Sequence, residues 1–140
     1  MKNKANIFHL AIPVNNLDES ISFYKDTLEL KQGRSSNKWV DFNFFGNQLV
    51  CHVTDEINIK SVNYVDGEEI PVPHFGVVLS MDEYDDFLSK INDKKINFII
   101  EPTVRFKGEV GEQRIMFFKD PSGNAIEVKA FRDIKNLFRS

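Results

Sequence analysis

Residues 117–128 read FFKDPSGNAIEV. Asp120, Pro121, Ser122, Gly123 and Asn124 are turn formers set between two β-rich runs, so the stretch predicts strand, tight turn, strand. A carboxylate, Glu127, then stands inside the otherwise apolar run AIEVKAF. A similar stretch, FGNQLVCHV, occupies residues 45–53, with Gly46-Asn47 as a hairpin signal. Laid against SGNAIEVKA, it places Val50 opposite Glu127.

The likeness continues upstream. FHLAIPV at residues 8–14 lies against PHFGVVL at 73–79, with a histidine at the same point of each run. After the first run, Pro13 to Asn16 supply turn chemistry, and Leu17, Ile21, Tyr24 and Leu28 recur at helical spacing, with Asn16 or Asp18 as cap. After the second, Asp82 begins a helix carrying Tyr84, Phe87, Leu88 and Ile91. Three strands are predicted behind each helix: 29–34, 38–45 and 48–53 in the first copy, and 96–105, 112–119 and 125–131 in the second. His9 and His74 are 65 residues apart and Gly46 and Gly123 are 77 apart, so the second copy is longer, with much of the excess at Arg105 to Gly111. The expected organisation is one α+β domain of two βαβββ modules, about 5–54 and 73–131. Thr54 to Val72 breaks the pattern and reads as a connector, about 55–72, and 132–140 form a tail able to make a short helix.

Composition narrows the function classes. The net charge of −3 comes from 18 basic and 21 acidic residues without a basic block, so nucleic acid is not an expected partner. No apolar run reaches the roughly 18 residues of a membrane span, and Met1 to Asn6 leads into a strand pattern, so a cytoplasmic protein is expected. Cys51 is the only cysteine, which excludes a thiolate-rich metal site and leaves nitrogen and oxygen ligands. Thirteen phenylalanines call for a deep core or an aromatic-lined cavity. Trp39, Phe42, Phe44, Phe45, Phe117 and Phe118 are expected chiefly in the core.

His9, His74 and Glu127 therefore ask for an explanation together. Singly, each is well explained as an ordinary strand residue; three such residues at repeat-equivalent strands weigh against that reading.

The segments HLAIPVNNLDESISFYKDTLEL, HFGVVL and FFKDPSGNAIEV, with the Phe23-Tyr24 pair and the DPxGN turn before a strand glutamate, resemble the vicinal oxygen chelate superfamily. That superfamily includes glyoxalase I, extradiol dioxygenases, methylmalonyl-CoA epimerase, fosfomycin-resistance thiol transferases and bleomycin-resistance proteins. The resemblance implies a glyoxalase/extradiol dioxygenase fold, with paired modules forming a curved mixed sheet around a metal and substrate cavity, in a homodimer. It implies metal ligands at His9, His74 and Glu127, with the first-module histidine supplied by a partner chain in small members. Four-ligand members carry a further ligand where this chain has Val50. Two histidines and one carboxylate remain, the triad of non-haem Fe(II) oxygen chemistry. Fe(II) is thus the favoured metal, with Mn(II), Zn(II) or Ni(II) as the others.

His52 lies two residues beyond Val50, on the same strand face, and histidine suits an acid–base role near neutral pH. A rim histidine without such a role is the other reading. Cys51 faces the opposite way and reads as packing. Lys129, Arg105 and Arg114 could hold an anionic substrate group, although a solvated strand face is the simpler expectation for each. The leading expectation is an extradiol-type dioxygenase acting on a small catechol-like or vicinal-oxygen substrate. A Lewis-acid isomerase, epimerase, lyase or thiol transferase is the second, and a non-catalytic bleomycin-resistance-like binding module the third.

Overall fold

The computed structural model of the chain describes residues 6–55, 61–65 and 67–139. Two compact units divide near residue 57. The first holds β1 (His9–Val14), α1 (Leu17–Ile21), β2 (Lys31–Ser35), β3 (Trp39–Phe44) and β4 (Asn47–Val53). Its sheet order is β1-β4-β3-β2, with β1 and β4 parallel and the rest antiparallel. The second holds β5 (Ser61–Val65), β6 (Glu68–Val72), β7 (Phe75–Leu79), α2 (Met81–Ile91), β8 (Asn97–Arg105), β9 (Gln113–Lys119) and β10 (Ala125–Phe131). Its main sheet runs β7-β10-β9-β8, again with the outer pair β7 and β10 parallel. The predicted repeat is therefore one topology used twice: two four-stranded mixed sheets, α+β.

Strand alternation sorts each sheet into two faces. Along β1, Ile12 and Val14 are buried on one face while His9 and Ala11 are exposed on the other. In the second unit, Met116, Phe118, Ile126, Val128 and Ala130 are buried on the face opposite to Glu127 and Lys129. There Phe87 and Phe118 stack, with ring centroids 6.4 Å apart. Helix α2 begins with a capping box in which Ser80 Oγ accepts the Glu83 N–H and Glu83 Oε1 accepts the Ser80 N–H. Its start is thus Met81, with Ser80 as the cap.

Three local features depart from the sequence reading. The first helix is only partly α: Asn16 caps it through the Glu19 N–H, and Ser22–Thr27 continues as a π-helical turn in which Leu28 N–H reaches Phe23 O at 2.9 Å. Widening that turn lets neighbours Phe23 and Tyr24 both be buried, with Tyr24 against Phe42. The β3–β4 hairpin turns on Phe45 and Gly46, at φ 50° and 87°, rather than on Gly46-Asn47. Asn43 Oδ1 accepts the Gly46 N–H and holds it. The stretch expected as an irregular connector contains the hairpin β5–β6, although residues 56–60 and 66 lie outside the described residues. Ile70 of β6 packs against Ile100, Ile115, Phe117 and Ala125, so the hairpin contributes to the second core.

The tail forms a 3-10 turn at Ile134–Phe138, capped by the Asp133 side chain. Cys51 is buried, as expected of a packing residue. Among the described residues no helix is long and apolar enough to cross a membrane.

Candidate metal centre and adjoining cavity

Glu127 is positioned from both ends of its strand. Upstream, the buried Asp120 organises the DPSGN turn: Oδ1 accepts the N–H groups of Ser122 and Asn124, Oδ2 accepts the Asn124 amide at 2.9 Å, and Gly123 takes φ 90°. Sideways, Glu127 is in register with Gly76 of β7 and Phe117 of β9. A Cβ at Gly76 would stand 1.7 Å from the Glu127 carbonyl oxygen, so only glycine permits this approach of β7 to β10.

His74 precedes β7 and turns onto the same face. Its Nδ1 is 2.7 Å from Pro71 O, which can only accept, so Nδ1 carries the proton and the lone pair of the neutral ring lies on Nε2. Nε2 in turn faces Glu127 Oε2 at 3.6 Å. That separation is too long for a hydrogen bond. Two ligands held about 2.1 Å from one ion stand about 3.0–3.4 Å apart, so the pair fits a shared divalent cation with a few tenths of an ångström of closure. The residues are part-exposed, 32% and 21%, leaving room for other ligands. The His74 ring meets Phe117 edge to face at 4.8 Å. Lys129 Nζ lies 3.4 Å from the other oxygen, Glu127 Oε1.

His9 belongs to the first unit and is exposed. It is in register with Gln48, whose Oε1 is 2.7 Å from His9 Nδ1. The Gln48 amide nitrogen donates to Asp41 Oδ2 at 3.3 Å. A carboxylate only accepts, so Asp41 fixes which end of the Gln48 amide faces His9, and Nδ1 must be the protonated nitrogen there too. Both histidines thus present Nε2, the arrangement outer-shell partners impose on metal-ligating imidazoles. His74 and Glu127 are brought together within one unit; among the described residues no third His, Cys, Asp or Glu joins them to complete a group of three.

His52 is exposed on β4, in register with Pro13 and Trp39 and on the same sheet face as Val50 and Gln48. It is four residues beyond Gln48, about 13 Å along the strand. It occupies in the first module the position Lys129 has in the second.

Beside the His74–Glu127 pair lies a cavity of ≈330 Å³. Arg105 and Lys129 line it, and both stay part-exposed. Arg114 points to the opposite face and pairs with Asp85. From the sequence, Lys129 and Arg105 are legible only as groups that could hold an anion, with a solvated strand face as the simpler expectation. Gln48, Asp41 and the Pro71 carbonyl carried no sequence signal, because cross-strand register and the β5–β6 hairpin place them.

The chain belongs to the Glyoxalase/Bleomycin resistance protein/Dioxygenase superfamily, matched over residues 6–128. A relative named metallothiol transferase FosB, from Staphylococcus saprophyticus, is 26% identical over 123 residues, covering 88% of this chain and 75% of its own length. The FosB of Lysinibacillus sphaericus is 25% identical, covering 87% and 79%. The crystal structure of a glyoxalase/bleomycin resistance protein/dioxygenase from Alicyclobacillus acidocaldarius matches with a TM-score of 0.80 and 32% identity, over 99% of this chain and 100% of that one. The fosfomycin resistance protein FosX of Listeria monocytogenes shares the fold, with a TM-score of 0.67 at 16% identity over 94% and 97%.

Proposed function

We propose that this protein is a metal-dependent enzyme in which His74 and Glu127, completed by His9, hold a divalent cation beside a small-molecule cavity. The observation that carries this reading is the 3.6 Å approach of His74 Nε2 to Glu127 Oε2, with Nδ1 committed to Pro71. When bound, the ion supplies Lewis acidity to oxygen atoms of the substrate. The FosB relatives are named metallothiol transferases, which favours Lewis-acid chemistry such as thiol transfer over the extradiol dioxygenase expected first. Zn(II), Mn(II) and Ni(II) accordingly stand ahead of Fe(II).

The chain's own groups divide the remaining work. His9, from a second copy in a homodimer, brings the third ligand. Lys129 balances the charge of Glu127 at 3.4 Å. His52, four residues along β4 from the partner of His9, fits a rim position better than a proton carrier at the ion. A reducing, cytoplasmic setting suits the lone buried Cys51.

The protein should be prepared anaerobically with each metal and assayed for consumption of L-cysteine or glutathione with small epoxides, beside oxygen uptake with catechols. Thiol consumption that depends on metal and is lost in His74→Ala supports the proposal. Oxygen uptake with Fe(II) alone would return the dioxygenase reading, and small-molecule binding unchanged in metal-free His74→Ala, without turnover, would leave only a binding module. Sharing of ligands is tested by mixing His9→Ala with Glu127→Gln. Each alone lacks the Zn(II) site, and each mixed dimer should regain one.

A further inference from the structure

The β5–β6 hairpin forms a two-stranded sheet of its own, apart from the main sheet of the second unit. A lone two-stranded hairpin is marginal in water, so packing must hold it. Its outer side chains do little of this: Val62 is 50% exposed and Tyr64 73%, and the Tyr64 hydroxyl donates to Glu69 of the same hairpin at 2.8 Å. The seat is made by β6. Ile70 packs on Ile100, Ile115, Phe117 and Ala125, and the next residue, Pro71, is buried and accepts the His74 Nδ1–H at 2.7 Å.

Both residues lead to the His74–Glu127 pair. Phe117, in the cluster that Ile70 covers, is in register with Glu127 and meets the His74 ring at 4.8 Å. Pro71 O fixes the tautomer that turns the Nε2 lone pair toward Glu127 Oε2. A hairpin lifted from its seat takes that carbonyl away, and the neutral ring is then free to carry its proton on either nitrogen. The connection also runs in the other direction. With Nε2 ligating a cation, the ring is poorer in electrons and its Nδ1–H donates more strongly to Pro71 O. Whatever binds the seated form better stabilises that form by the same factor.

We propose that the β5–β6 hairpin is a strap coupled to the ion site. Ile70 is a positioning residue that seats it, Pro71 passes the seating on to His74, and occupancy of the site and closure of the hairpin favour each other. The coupling rests on the metal reading above; the seat rests on the packing alone.

Hydrogen exchange of the full-length protein, metal-free and Zn(II)-loaded, read over the hairpin by mass spectrometry beside a Zn(II) competition titration, tests this. Bound Zn(II) should slow exchange across β5–β6 in the wild type about tenfold, a measurement that needs no variant. Ile70→Ala should speed that exchange in metal-free protein and weaken Zn(II) binding about tenfold, the lower end of what loss of an outer partner costs. Ile70→Leu should restore both. Ile99→Ala removes the same bulk from beside the same apolar cluster but lies on β8, outside the hairpin, so it should leave Zn(II) affinity unchanged. The proton resonance of His74 Nδ1–H should be present in wild type and Ile99→Ala and missing in Ile70→Ala.

The proposal alone is overturned, with the metal reading intact, if bound Zn(II) leaves hairpin exchange unchanged. The same follows if Ile70→Ala binds Zn(II) as tightly as wild type, or if Ile99→Ala weakens it as much. If wild type binds no Zn(II), the metal reading falls and the coupling with it, and the Nδ1–H resonance still decides whether Ile70 seats the hairpin on His74.

Discussion

Gln48 stands opposite His9 across the parallel pair β1–β4 and its Oε1 accepts the imidazole Nδ1–H at 2.7 Å. Asp41, 3.3 Å away, orients the amide that makes this bond. An exposed histidine is thereby held in one tautomer by two residues that would not touch a ligand themselves. Loss of such an outer partner weakens metal binding about 10–100-fold. Gln48→Leu should show a loss of that size in a Zn(II) competition titration with a chromophoric chelator. Asp41→Asn, which removes only the orienting acceptor, should lose less than about tenfold. Unchanged affinity in Gln48→Leu would mean that His9 takes no part in the site.

His74 and Glu127 are the pair within reach of one ion. Removing a ligand should cost more than removing its support, so His74→Ala and Glu127→Gln should each weaken Zn(II) binding by more than about 100-fold. The metal-dependent rise in Tm should disappear with it, because a ligand that binds only the folded state stabilises in proportion to its affinity. Retention of the Tm rise in Glu127→Gln would place the ion elsewhere.

Gly76 lets β7 approach the Glu127 backbone. A Cβ 1.7 Å from the Glu127 oxygen cannot be accommodated by a side-chain rotation, since the opposing atom is backbone. Gly76→Ala should therefore destabilise by about 3 kcal/mol or more in urea unfolding. It should also weaken Zn(II) binding in whatever fraction folds. A wild-type urea midpoint in this variant would contradict the close β7–β10 pairing.

Tyr84 links α2 to β9: its buried hydroxyl donates to Ile115 O at 2.9 Å, and burial pushes its pKa up to about 12 from 10.0. The neutral phenol is favoured in the folded state, so its contribution is complete below pH 10 and is lost as pH rises toward 12. Wild type should lose more stability than Tyr84→Phe across that window. At neutral pH the variant should be about 1 kcal/mol less stable, for the lost hydrogen bond. Parallel stability–pH curves for the two proteins would show that this hydroxyl is not buried in the fold.

Much of the fold was legible because the repeat is written in local signals. FHLAIPV and PHFGVVL announce equivalent strands, and the DPSGN turn uses backbone preferences that do not depend on context. The β5–β6 hairpin was not legible, since its apolar residues are scattered and Tyr64 remains 73% exposed. The π-helical turn escaped for another reason. Its extra residue serves the burial of Phe23 and Tyr24, which a 3.6-residue pattern does not encode.

The same division runs through the site. The sequence by itself determined the chemistry on offer: no thiolate cluster from a lone cysteine, two histidines at matching module positions, and one strand carboxylate, Glu127, where the first module has Val50. Tertiary structure alone decided how those groups are aimed. Pro71 and Gln48 fix the imidazole tautomers, Gly76 admits the strand beside Glu127, and register brings Arg105 and Lys129 to one cavity. Residue type sets what an atom can bind, whereas the direction of a lone pair or a guanidinium depends on partners distant in the chain, and only pairing of strands supplies them.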